Sequence, residues 1–107
     1  MDKINQIAKH MLNQHRNKMP FQNLPVSLNP SDINEAYEAQ SVFHTESGRG
    51  VLGGYKIALA SKIQQELCGI NHPIAGGIFA KEIKSSPSTF ELKKYHGLGL
   101  ELSLIHI

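Results

Sequence analysis

The stretch that most constrains this chain is Gly50–Gly69, GVLGGYKIALASKIQQELCG, because its hydropathy period changes once and abruptly. Up to Ala60 the apolar Tyr55, Ile57 and Leu59 alternate with Lys56, Ala58 and Ala60, the period-two pattern of a half-buried strand. Successive strand side chains point to opposite faces, so Lys56 is set against the face of Tyr55 and Ile57. From Ser61 the signals are helical. Ser61 with Gln64 three residues on reads as a capping box, Ile63 and Leu67 share one face, and Gly69 supplies a left-handed stop. The spacing predicts a strand over 51–60, a tight turn and a helix over 62–68.

Upstream, Ile4, Ile7, Ala8, Met11 and Leu12 follow the spacing of an amphipathic helix over 2–18, ending before Met19-Pro20. Residues 20–30 read as an extended connector. Asp32 with Glu35 forms a second capping box, with Ser31 as an alternative cap, opening a helix over 33–46 whose apolar face includes Ile33, Ala36, Tyr37 and Phe43. Downstream, Gly76-Gly77 predicts a turn, Ile78-Phe79 a short strand and Ser85-Ser86-Pro87 a loop. The fold class is α+β, helices first.

At 107 residues the chain has room for one small domain, and 40% hydrophobic with 19% charged residues is the balance of a globular protein. The basic residues behind the net charge of +2 are scattered along the sequence, so no nucleic-acid partner is expected. No run approaches membrane-spanning length, the N-terminus is too polar for a secretory segment, and the single Cys68 allows no disulfide framework, which together predict a cytoplasmic setting. Cys68 reads as a packing residue, and the six histidines lack zinc-ligand spacing.

Two readings of Lys56 stand. It is a solvated lysine on an exposed strand face, or an ammonium in a pocket where desolvation lets it bind an anion or move a proton. The run GGYKIALASKIQQELCGI, preceded by Ala36-Tyr37 and Gln40, resembles the signature of the 2-keto-4-pentenoate hydratase branch of the fumarylacetoacetate hydrolase superfamily, with its G-x-K segment, glutamine-containing helix and A-Y-x-x-Q motif. Ala58 and Ala60 stand where that family usually carries glycine and threonine. Pro73 and Gly76 match its P-D-F-G segment, with Ile74 in place of the acid. The resemblance covers 33–101 and implies the start of a fumarylacetoacetase-like mixed β-roll, with Lys56 catalytic and Ser61 and Gly76 at the substrate.

The same family binds Mg2+ or Mn2+ through an E-x-E pair on a strand plus a further acid, since two carboxylates at i and i+2 converge on one hard cation. Leu98-Gly99-Leu100-Glu101 is similar to the lead-in to that pair, which makes Glu101 the first ligand and leaves Ser103 where the second belongs. Leu102–Ile107, LSLIHI, is what translation of a transposon-adapter end yields, so adapter read-through is expected over 102–107. The implied parent is a longer metal-dependent lyase, a hydratase or decarboxylase of small 2-keto acids from aromatic breakdown. It would work through an enolate as a homo-oligomer, and 1–101 would be its inactive N-terminal part. The alternatives are a fumarylacetoacetase-like C–C hydrolase and a small non-catalytic binding or dimerisation module built on the two amphipathic helices, with Lys56 as surface.

Overall fold

A computed structural model of the chain describes residues 2–95 and 97–101. The adapter read-through expected over 102–107 lies outside the described residues. The fold is α+β: helices α1 (Lys3–Arg16), α2 (Ile33–Glu46) and α3 (Lys62–Leu67), with strands β1 (Leu52–Ala58) and β2 (Ile74–Phe79) paired antiparallel.

The helix starts form where the caps predict them. Asp2 Oδ1 accepts from Asn5 N at 2.8 Å, Asp32 Oδ1 from Glu35 N at 2.8 Å, and Ser61 Oγ from Gln64 N at 3.2 Å. The Glu35 carboxylate reaches back to the backbone N–H of Ser31 and also takes the Lys3 ammonium at 3.1 Å. At the other end of α1, Arg16 donates to the carbonyl of Glu46 at 3.0 Å. Start meets start and end meets end, so α1 and α2 lie parallel, and the long connector between them returns along the pair.

α1 buries Ile7, Ala8 and Leu12, as its periodicity predicts, and α2 contributes Ala39. With Phe79 of β2 these side chains form the core. β2 is held from both sides. Its register with β1 sets Lys56 opposite Gly76 and Tyr55 opposite Gly77, and α2 lies against its other edge.

Several expectations fail for local reasons. α1 stops at Arg16 rather than 18 because Lys18 takes the left-handed conformation, with φ +50°. β1 stops at Ala58 rather than 60 because Leu59 does the same at φ +55°. Gly76-Gly77 is no turn. Both residues lie within β2, where the strand partner settles what the glycine pair left ambiguous. α3 ends at Leu67 and buries Gln65, whose side-chain amide donates to Leu59 O at 2.9 Å, while Ile63 and Leu67 face solvent. Cys68 is exposed too, so it is no packing residue among the described ones. No described helix is long and apolar enough to cross a membrane.

Candidate functional site

The motif on α2 and the segment around Gly76 meet directly. Ala75 N donates to Tyr37 Oη at 3.0 Å, and Gln40 Nε2 donates to Ala75 O at 3.1 Å, so the two side chains hold both backbone groups of one residue. These groups point away from β1, and an unsatisfied pair at a half-covered sheet edge would be costly. Tyr37 and Gln40 therefore fix the position of β2, and through its register they fix Gly76 opposite Lys56.

On that ribbon Lys56 Nζ donates to Ile57 O at 3.2 Å and lies 3.9 Å from Glu101 Oε2. The two side chains are 66% and 84% exposed, so this is a loose surface pair that contributes little stability. Of the two readings of Lys56, the described residues agree with the solvated lysine on an exposed strand face and form no enclosing pocket around it. A Cβ on Gly76 would meet nothing within 4 Å, which leaves the space beside the lysine open. Three of the four sequence-derived positions thus come together. Ser61 does not join them, because its hydroxyl serves as the N-cap of α3.

Among the described residues no group of three or more His, Cys, Asp or Glu side chains could hold a metal ion. Glu101 is a single carboxylate whose close neighbour is an ammonium, whereas Mg2+ demands near-octahedral oxygen donors. Ser103, at the position expected for a second ligand, lies outside the described residues.

The stronger electrostatic constellation is elsewhere, and no local sequence pattern signals it. Arg49 pairs with Glu82 through Nε–Oε2 at 2.6 Å and a second guanidinium bond, and its guanidinium lies 4.2 Å from the centre of the Phe79 ring. The Arg49 hydrogen bond holds the Glu82 carboxyl below its usual range, and the same bond raises Arg49. His44 packs edge-on against Phe79, ring centres 5.6 Å apart; burial pushes its pKa down, and the Arg49 charge adds to this. Arg49 and Glu82 are 33 positions apart, beyond the reach of any local pattern.

Comparison of the chain with family models, with curated proteins and with solved structures finds no match.

Proposed function

We propose that this chain is the N-terminal portion of a lyase, a hydratase or decarboxylase, acting on small 2-keto acids, and that it supplies Lys56 to hold the substrate anion. The observation that carries this reading is that Lys56 stands opposite Gly76 on the two-stranded ribbon while the Glu101 carboxylate, from a third stretch outside it, comes within 3.9 Å of the ammonium. An ammonium beside an open glycine has room for a small carboxylate. The ribbon itself supports a larger sheet: two strands alone are marginal in water, and Tyr55 and Ile57 are 68% and 53% exposed. The rest of a mixed β-roll would cover them on one face and would have to enclose Lys56 from the opposite face. A divalent cation, Mg2+ or Mn2+, belongs to this reading only with donors other than the described residues. A cytoplasmic homo-oligomer completes it.

The test begins with the source locus. Sequence beyond codon 101 is expected to encode an acidic residue at 103 and another downstream; a stop after Ile107 would remove the reading. In the resulting full-length protein, Lys56→Ala should lower kcat/KM for a 2-keto acid by about a hundredfold or more, and unchanged turnover would take the lysine out of the mechanism. The 107-residue chain alone should show no metal-dependent turnover. One observation favours the non-catalytic binding module instead, which treats Lys56 as surface: the Lys56 side chain is 66% exposed.

A further inference from the structure

The C-terminal ends of the parallel helices frame a groove of about 680 Å³, within the size range of small-molecule sites. Its lining includes neither Lys56, Gly76 nor Glu101, so it is separate from the ribbon site. Met11 and Leu12 of α1, Phe43 of α2, and Met19, Phe21 and Tyr95 give it an apolar, partly aromatic floor. Arg16, Lys18, Arg49 and Lys94 stand around that floor with one carboxylate, Glu82.

These cations are not equivalent. Arg49 is neutralised by its two bonds to Glu82. Arg16 answers the partial negative charge of the α2 C-terminus at Glu46 O. Lys18 and Lys94 remain. Among the described residues Lys18 Nζ reaches only the carbonyl of Lys93, at 3.5 Å, which also sets it beside the Lys94 segment. Lys94 Nζ lies 3.9 Å from Glu91, and its side chain is 69% exposed. Two lysines, one bonded to a backbone carbonyl and the other in a loose, exposed pair with Glu91, thus line the same groove as the apolar floor.

We propose that this groove binds a small amphipathic organic anion, an aromatic or chain-like body on the Met11–Phe43–Tyr95 floor with one carboxylate between Lys18 and Lys94. The apolar lining gives the body its contact area, and the lysines fix its polar end. A polyphosphate chain would find only two such cations and an apolar surface beneath them, so a single carboxylate is the better match. This inference is independent of the lyase reading, which concerns the other site.

The test is a titration of the full 107-residue chain, followed by amide NMR, with 1-naphthoate and with its neutral analogue 1-naphthalenemethanol. Naphthoate should shift amides over 11–21, 43–49 and 94–95 and bind at least about tenfold more tightly than the alcohol. The double variant Lys18→Gly/Lys94→Gln should erase that preference while its circular dichroism stays unchanged. Equal binding of the two probes, shifts centred on β1 and α3, or an unaltered preference in the folded double variant would each overturn the proposal. Displacement of naphthoate by a lower concentration of a ten-residue thymidine oligonucleotide would overturn it as well, in favour of a polyanion.

Discussion

Gly76 and Gly77 are neighbours in one strand, yet they answer to different constraints. A Cβ on Gly77 would sit 2.6 Å from His44 Cε1 and 2.8 Å from Leu52 Cδ2, while one on Gly76 meets nothing within 4 Å. Gly77→Ala should therefore overpack the space between α2 and β1 and cost about 1–3 kcal/mol. Gly76→Ala should be neutral or stabilise by up to about 1 kcal/mol, since alanine loses less backbone freedom in a strand. Thermal melts of the two variants decide this, and equal melting temperatures would show that the His44 contact does not constrain Gly77. The contrast also isolates Gly76 for function, because a turnover loss in full-length Gly76→Ala with an undiminished melting temperature would mark close approach of substrate. Tyr37→Phe belongs with this pair: it leaves the Ala75 N–H without its acceptor and should cost about 1–2 kcal/mol. The motif holding Tyr37 and Gln40 was legible in the sequence, but its partner was not, because Ala75 carries no side-chain signal and lies 38 residues from Tyr37.

The helices show which structural signals are local. α1 and α3 end in the same way. Met19 N bonds Gln14 O at 3.0 Å with Lys18 N on His15 O, and Ile70 N bonds Gln65 O at 3.0 Å with Gly69 N on Glu66 O. Each is the paired closure that needs one left-handed residue past the end. Glycine fills that position after α3 and could be read from the sequence. Lysine fills it after α1 and could not, which is why α1 was expected to run to 18. Glycine relieves roughly 1 kcal/mol of steric cost at such a site, so Lys18→Gly should raise the urea midpoint and Gly69→Ala should lower it. A fall for Lys18→Gly would mean that the side chain at 18 supports the fold through its contact with residue 93. The strands show the opposite case. β2 contains a glycine pair that reads locally as a turn, and only its pairing with β1 makes it a strand. α3 lies between these cases: its caps were legible, but its apolar face was misjudged. A helix of six residues is too short to be stable by itself, and this one is anchored through Gln65 rather than through Ile63 and Leu67.

At the scale of the whole molecule, the parallel arrangement of α1 and α2 decides where charge collects. Arg16, Lys18, Arg49 and Lys94 are scattered in sequence and gathered by the helix ends, so a charge pattern read along the chain could not reveal them. The same assembly makes stability depend on pH in a defined direction. His44 is held below its ordinary value of 6.5 by burial and by Arg49. Glu82 is held below 4.5 chiefly by Arg49, and Glu35 below 4.5 by the Ser31 backbone N–H and then by Lys3. In all three the unfolded chain binds the proton more readily than the folded one, so stability is lost as pH falls. Above 6.5 neutral His44 and ionised Glu82 and Glu35 leave the fold at full strength. Between 6.5 and 4.5 the unfolded chain gains a proton at His44 that the packed imidazole against Phe79 resists, which produces a first, shallow decline. Below 4.5 the carboxylates follow, the Arg49–Glu82 pair is broken by protonation, and the decline steepens. Urea midpoints of the chain from pH 8 to pH 3 should trace both steps, and His44→Gln should flatten the upper one alone. A midpoint that stays constant or rises from pH 7 to pH 5 would mean that the His44 ring is not enclosed by α2, β2 and Arg49 in solution, and the helix-to-sheet packing that positions both sites would have to be drawn again.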